Sequence, residues 1–199
     1  MLEGFIPFPP EYAQRYRERG YWQDKTLAQE FGAVFRRFAD RTALIDGERR
    51  YSYAELDRLT DNLALNLLSL GLRPLDRIVP TLPNVAEFVI LYFALQKIGC
   101  IPIAALVTHR FAEINQFVRL SQARCAVYPT SVREQGADVQ FAPIVERVQA
   151  ENPCLTLRLV LGEAGAGEHS LAALIEQPAA LPRSALDDLK IEPTDPCIF

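Results

Sequence analysis

The sequence predicts an α/β fold: an open, mostly parallel sheet flanked by helices, with an N-terminal helical arm and one β-hairpin. Residues 71–103 have the pattern of a turn, a strand, a helix and a second strand. A strand, a buried helix and another strand within about 30 residues form a βαβ unit, whose two strands pair in parallel. Helical and extended patterns alternate along the rest of the chain. The hydrophobic fraction of 49% over 199 residues is sufficient for a substantial core.

The βαβ unit has recognisable boundaries. Residues 77–82 form its first apolar run and residues 101–103 its second strand. Asn84 and Glu87 have the spacing of a capping box, which predicts that the helix begins there. The apolar residues that follow cover too wide a stripe for a surface helix, so we expect this helix to be mostly buried. Gly99 predicts its end, because glycine readily adopts the left-handed conformation.

Residues 1–25 are predicted to form the N-terminal arm. A proline-rich lead is followed by Pro10, which suits the first turn of a helix, and Gly20 predicts where that helix ends. We expect Tyr21 and Trp22 to anchor the arm on the rest of the molecule.

Residues 26–199 are assigned to the first α/β lobe. Two further capping boxes open helices in its first part, where Thr26 is followed by Gln29 and Ser52 by Glu55. Apolar residues recur at helical spacing after both, so each helix should bury one face.

The rest of the lobe follows the same alternation. Between the two capped helices, two short strand segments on either side of a Gly-Glu turn predict a β-hairpin. The predicted elements are hairpin strands at 43–46 and 50–52, a helix at 109–123, a strand at 126–128, a loop at 130–140, a helix at 141–150, a strand at 155–161, a mobile connection at 162–169, a short helix at 170–176 and irregular chain after 178.

Composition excludes several classes of protein. The chain has 21 Lys and Arg against 25 Asp and Glu, a net charge of −4, so its surface offers nothing to nucleic acid or to an anionic membrane. The N-terminus lacks a basic segment followed by an apolar one, so it is not a secretion signal. The longest apolar run, at 88–95, is far shorter than the ~20 residues of a membrane span. We therefore expect a cytoplasmic protein.

The cysteines and histidines do not form a metal-site pattern. No CxxC pair is present, and only two histidines occur, so neither a zinc site nor a disulfide framework is indicated. Buried, reduced thiols are the favoured interpretation. The residues concerned are Cys100, Cys125, Cys154, Cys197, His109 and His169.

Residue types suited to chemistry are sparse. Gly162, Gly165 and Gly167 lie between a strand and a helix, where a phosphate loop would sit, but their G-x-x-G-x-G spacing is not that of a dinucleotide site. His109 and Arg110 follow a strand, yet no acid or nucleophile is adjacent, which favours solvated side chains flanking a helix start.

The neighbouring charges Asp76 and Arg77 are interpreted as an ion pair or as turn partners. No Ser/His/Asp set or paired carboxylates stand out. From the residues we assign no catalytic, cofactor-binding or metal-binding position.

Two stretches of the sequence resemble a known family. The arm resembles that of the 2,3-dihydroxybenzoate-AMP ligases, aryl acid-activating enzymes of siderophore synthesis, in PPEYAQRYRERGYWQDKTLAQEF. The lobe is similar to the wider adenylate-forming family, which includes acyl-CoA synthetases and peptide-synthetase adenylation domains, in LIDGERRYSYAELDRLTDNLALNLLSLGL and DRIVPTLPNVAEFVILYFALQKIGCIPI. Two departures are visible. Leu75 stands where the family usually has glycine, and Pro80 interrupts a strand, which suggests a bulge or an edge-facing position.

The resemblance implies an N-terminal fragment of an enzyme that adenylates 2,3-dihydroxybenzoate or salicylate with ATP and Mg²⁺, then transfers the acyl group to a phosphopantetheinylated aryl carrier protein. The family's glycine-rich loop, its later motifs and its C-terminal lysine are not in these residues, so the chain is expected to stop just before the phosphate-binding loop. We accordingly expect the chain alone to be inactive and to bind no cofactor. Apolar surface left without its partners would favour homo-oligomers.

Two alternatives remain beside this one. The first is a fragment of a fatty acyl or aryl CoA ligase, which later residues would distinguish. The second is a non-catalytic α/β interaction module descended from such an enzyme, which a stop codon close to residue 199 would indicate.

Overall fold

The α/β prediction is confirmed by a computed structural model that describes residues 6–199. A five-stranded parallel sheet has the strand order β4-β3-β5-β8-β9, and two separate hairpins are formed by β1 with β2 and by β6 with β7. The elements are α1 (Pro10–Glu18), α2 (Leu27–Arg37), β1 (Thr42–Asp46), β2 (Arg49–Ser52), α3 (Tyr53–Ser69), β3 (Arg77–Pro80), α4 (Ala86–Lys97), β4 (Ile101–Pro102), α5 (Phe111–Ser121), β5 (Cys125–Pro129), β6 (Ser131–Glu134), β7 (Ala137–Gln140), α6 (Ala142–Glu151), β8 (Leu157–Leu161), β9 (His169–Ser170), α7 (Leu171–Glu176) and α8 (Ser184–Asp187).

Helices cover both faces of the sheet. Helices α3, α4 and α7 pack on the face that carries Ile78, Val127 and Leu159. Helices α5 and α6 pack on the opposite face, which carries Val79 and Tyr128. Because successive strand residues point to opposite faces, strands buried on both sides are apolar throughout, as β5 is.

The βαβ unit is present as the sequence predicts. Strand β3 pairs in parallel with β4 at Ile78 and Pro102, and α4 connects the two strands. The side chains of Ile90, Leu91 and Leu95 are at most 2% exposed, so the helix is buried as expected. None of the helices within residues 6–199 has the length and apolar character needed to cross a bilayer.

The capping boxes at Thr26 and Ser52 are confirmed, each with reciprocal hydrogen bonds to the residue three positions on. The third, at Asn84, is wrong. Helix α4 begins at Ala86, whose amide donates 2.9 Å to the Asp46 carboxylate of β1. The Glu87 carboxylate instead accepts hydrogen bonds from Arg49, so a hairpin about 40 residues away satisfies this helix start.

This hairpin–helix contact predicts a pH effect. Arg49 lowers the pKa of Glu87, and the Ala86 amide, followed by Arg49, lowers that of Asp46. A lowered folded-state pKa adds stability above the unfolded-state value that is lost as pH falls through the folded-state value. Glu87→Gln should therefore be less stable than wild type at pH 7, with a gap that narrows towards pH 3. Urea unfolding at both pH values measures this, and a gap that widens in acid would contradict it. Glu163→Gln, in an exposed loop, is the control.

The prediction of a loop at 130–140 is wrong, because β6 and β7 form a hairpin there. Val132 pairs with Val139 and packs against the α5–α6 side of the core. Gln135 and Gly136 both have positive φ, as the tight hairpin turns require. The usual signal, Asn-Gly, is absent from the turn, and only one apolar residue lies in the middle of each strand.

Several smaller differences also appear. Strand β9 pairs with β8 where a connection was predicted, and α8 forms within the chain predicted to be irregular. Tyr21 is exposed and does not anchor the arm, while Trp22 packs on the arm's own Phe8 and Tyr16. Pro80 lies in β3 without a register shift, and its carbonyl accepts from the Ala105 amide beyond the end of β4. The missing donor therefore faces the side on which β4 has stopped pairing.

The departure at Leu75 is strained. Its φ is +67°, a left-handed conformation that costs a non-glycine residue roughly 1–2 kcal/mol. Leu75→Gly is therefore expected to be more stable than Leu75→Ala by about 1 kcal/mol, because both lose the side chain and only glycine relieves the strain. Denaturant unfolding of the two variants measures the difference, and equal stabilities would refute the strain argument.

Candidate functional site

The strand order defines where a ligand would bind this sheet. The chain passes from β3 to β4 on one side and then crosses to β5 on the other side of β3. In open α/β sheets, ligands bind outside the carboxyl ends of the strands near such a reversal. The edge formed by the loops after β3, β4 and β5 is therefore the candidate site.

The last residues of the chain add a short strand to the sheet beside its outer strand, β4, and end at the candidate site. The Phe199 amide donates 3.1 Å to the carbonyl of Pro102, and the Phe199 carbonyl accepts from the Ala104 amide at 3.2 Å. Phe199 thus bonds to the residues on either side of Ile103, which is the hydrogen-bond pattern of two parallel strands. The edge strand, residues 197–199, therefore lies beside β4, and its carboxyl end points to the candidate edge.

The surface next to this strand is an apolar groove of about 140 Å³. Ile198 and Phe199 are half exposed beside it. The groove offers contact area but no carboxylate, amine or imidazole among its lining residues, which are Pro80, Phe88, Leu91, Tyr92, Leu95, Pro102, Ala104 and Ile198.

The start of α4 does not provide a phosphate site. A helix N-terminus favours an anion, but the Asp46 carboxylate already accepts from the Ala86 amide there, and Glu87 adds a second negative charge. A phosphate would be repelled by both side chains.

The glycine-rich loop after β8 is closed by a carboxylate of its own. Glu168 accepts hydrogen bonds from the Gly165 amide at 2.7 Å and from the Tyr128 hydroxyl at 2.6 Å. Burial alone would raise the pKa of Glu168, but these two bonds and the charge of Arg158 outweigh it and lower the pKa. Burial, and then Glu168, raise the pKa of Tyr128. A phosphate would meet an ionised carboxylate here, so the geometry gives this loop a structural role.

His109 and Arg110 take part in local structure. The ring of His109 accepts from the Leu106 amide through Nδ1 and packs edge-on against Phe117. Arg110 pairs with Glu134 of the β6–β7 hairpin and donates to the carbonyls of Val107 and His109. The two side chains do not converge on a common point.

Asp76 and Arg77 do not pair with each other. Asp76 pairs with Arg124 at 2.9 Å and accepts from the Arg73 amide, as a turn partner. Arg77 donates to the Ser121 and Gln122 carbonyls at the end of α5, where a cation suits the helix dipole.

The four cysteines are free thiols, but only two of them are buried as predicted. Cys100 and Cys125 are buried, and burial raises the pKa of both. Cys154 and Cys197 are half-buried. A thiol with a raised pKa is protonated at neutral pH, so neither buried cysteine is an activated nucleophile.

One charged cluster was not predicted from the sequence. The Lys97 ammonium lies 2.5 Å from Asp57 and 2.6 Å from Asp61, both on α3, and Asp61 also pairs with Arg183 at 2.6 Å. The spacing of the two aspartates by four residues places them on one helix face and was the available signal. Each charged group in the cluster has a partner of opposite charge. The cluster therefore has a structural role, since its ion pairs link α3 to α4 and to the start of α8.

Within residues 6–199, no group of three or more His, Cys, Asp or Glu side chains converges as metal ligands would. The two backbone amides best placed to meet a phosphate, those of Ala86 and Gly165, already donate to the carboxylates of Asp46 and Glu168.

Comparison with known proteins places the chain in a family. Residues 31–199 match the family model described as AMP-binding enzyme. The chain belongs to this AMP-binding enzyme family. Among the structures it resembles is apo MbtA of Mycobacterium smegmatis, with a TM-score of 0.85 and 35% identity over 98% of this chain and 34% of that one.

Curated relatives within the AMP-binding family include two aryl acid ligases. The chain is 36% identical over 164 residues to a 2,3-dihydroxybenzoate-AMP ligase of Bacillus subtilis, covering 82% of this chain and 30% of that protein. It is 37% identical over 169 residues to a salicyl-AMP ligase / salicyl-S-ArCP synthetase of Mycobacterium tuberculosis, covering 82% and 29%. The chain thus spans about a third of the length of the curated relatives it matches.

Proposed function

We propose that this chain is the N-terminal portion of an aryl acid-AMP ligase of siderophore biosynthesis that works in the cytoplasm. The whole enzyme would activate 2,3-dihydroxybenzoate or salicylate with ATP and Mg²⁺ and pass the acyl group to an aryl carrier protein. Residues 1–25 would be the arm, and residues 26–199 the first α/β lobe.

The observation that carries this proposal is the 36–37% identity to two relatives named as aryl acid-AMP ligases, and the structural likeness to MbtA extends the match along the chain. The family model begins at residue 31, whereas the structural match covers 98% of the chain and so includes most of the arm as well. The names of two relatives about as similar point to aryl acids, and one of these names includes a carrier, ArCP.

The chemistry explains why such an enzyme needs more than this lobe. A carboxylate is a poor electrophile, and adenylation gives it a good leaving group before a thiol attacks. Holding the reactants in line and offsetting developing charge needs positioned donors and a metal ion. The described residues supply the sheet, the edge strand and the apolar groove, which together form a scaffold for that machinery.

The test is ATP–pyrophosphate exchange by the complete product of the gene that encodes this chain. We expect exchange with salicylate or 2,3-dihydroxybenzoate and none with fatty acids, followed by acyl transfer to a phosphopantetheinylated aryl carrier protein. The 199-residue chain alone should show no exchange. Clear exchange by the chain alone would contradict the proposal that it is an inactive fragment.

The same assay separates the alternatives. Exchange with fatty acids, or acyl transfer to free coenzyme A only, would indicate a CoA ligase. A stop codon close to position 199 would indicate an interaction module. Self-association of the chain, proposed from the half-exposed Ile198 and Phe199, is measured by light scattering.

A further inference from the structure

Gln96 is a buried polar residue in the apolar helix α4. Its side chain is about 95% buried, and its Nε2 donates 2.7 Å to the carbonyl of Cys197. Burying an amide without a hydrogen bond is costly, so the bond to Cys197 is what makes this residue compatible with its site. One side chain of the βαβ unit thereby holds a segment 101 residues later in the chain.

This bond and the backbone bonds fix alternate residues of the edge strand. The Gln96 side chain hydrogen-bonds to the carbonyl of Cys197. The backbone of Phe199 hydrogen-bonds to Pro102 and Ala104. Strand β4 is too short to fix the register through many further hydrogen bonds, because it pairs with β3 over only two residues. A slip by one residue would break all three bonds and turn the side chains to the opposite faces.

We propose that Gln96 is a positioning residue, which sets the register of residues 197–199 on β4 and so the point at which the later part of the chain leaves the candidate edge. This inference rests on the proposed function, because the segment beyond Phe199 in the whole enzyme would have to bind ATP. Gln96 itself touches no substrate.

The experiment uses the complete gene product and two variants, Gln96→Met and Gln96→Leu, which keep a similar side-chain size but remove the donor. Asn66→Leu is the matched control, since the Asn66 side chain is equally buried and donates 2.8 Å to the Leu174 carbonyl, away from the edge strand. Pyrophosphate exchange gives the KM values for ATP and aryl acid. Hydrogen exchange of the Phe199 amide reports directly on the strand.

Both Gln96 variants are expected to raise the KM for ATP, because the segment that follows the edge strand is then held less well in place, with the aryl acid KM unchanged. The rise should be at most about tenfold, since restoring the register can cost no more than the one hydrogen bond that is lost. They should also speed exchange of the Phe199 amide, whereas Asn66→Leu should lower the thermal midpoint and change neither. Wild-type values in both Gln96 variants, or the same changes in Asn66→Leu, would overturn the inference. Absence of pyrophosphate exchange in the wild type would instead refute the proposed function. In that case, Phe199 exchange no faster than wild type in the variants would refute the role of Gln96 independently.

Discussion

Replacing Lys97 with methionine is expected to lower the free energy of unfolding by about 2 kcal/mol, between the values for exposed and buried ion pairs, because Lys97 is buried whereas the Asp57 carboxylate left behind is 35% exposed. The Lys97 side chain is 8% exposed and is held between Asp57 and Asp61. Methionine fills similar space but leaves Asp57 without its cation, while Asp61 keeps Arg183. Urea unfolding at pH 7 gives the measurement.

An exposed pair provides the control. Lys25 lies 3.0 Å from Glu30, with about half of each side chain exposed. Exposed pairs contribute at most about 1 kcal/mol, so Lys25→Met should cost far less than Lys97→Met. Adding Asp57→Asn to Lys97→Met should recover part of the loss, because the uncompensated charge is then gone, while Asp61 stays paired with Arg183. Equal costs for the two lysines would show that burial does not set the strength of the Lys97 pair.

The features that can be predicted from the sequence are those determined by residues close together in the chain. The capping box at Ser52 and Glu55 lies within four positions, and α4 is apolar around most of its circumference, so the sequence predicts both the helix start and the buried helix correctly. These local signals, with the alternation of elements, determine the parallel sheet and hence the edge where the candidate site lies.

The features that were missed depend on residues far apart in the chain. Glu87 has the right spacing to cap its own helix but is bound by Arg49, 38 residues before it. Gln96 gives no sign in the sequence that it reaches Cys197. Side chains make such contacts only after the sheet has brought the elements together, so spacing along the chain does not reveal them.

The second large effect is expected at Gly162, and it tests whether this glycine serves structure or a nucleotide. Gly162 has a φ of +133°, where residues with a side chain are strained, and an added Cβ would lie 2.0 Å from the Thr130 hydroxyl oxygen. Gly162→Ala should therefore lower the free energy of unfolding by about 2–3 kcal/mol without any ligand. Gly47→Ala is the control, since φ is +58° and nothing lies within 4 Å, so its cost should be about 1 kcal/mol.

The steric cause can be isolated with a second substitution. In a Thr130→Ala background the hydroxyl is absent, and the nearest Thr130 atom to the new Cβ is then its own Cβ at 3.2 Å. Gly162→Ala should cost less there than in wild type, and the double-mutant cycle measures the difference. A Gly162→Ala variant with unchanged stability in both backgrounds would remove the steric explanation. Since the Gly165 amide of this loop already donates to Glu168 and Gly162 lies against Thr130, loss of stability without nucleotide is the expected result.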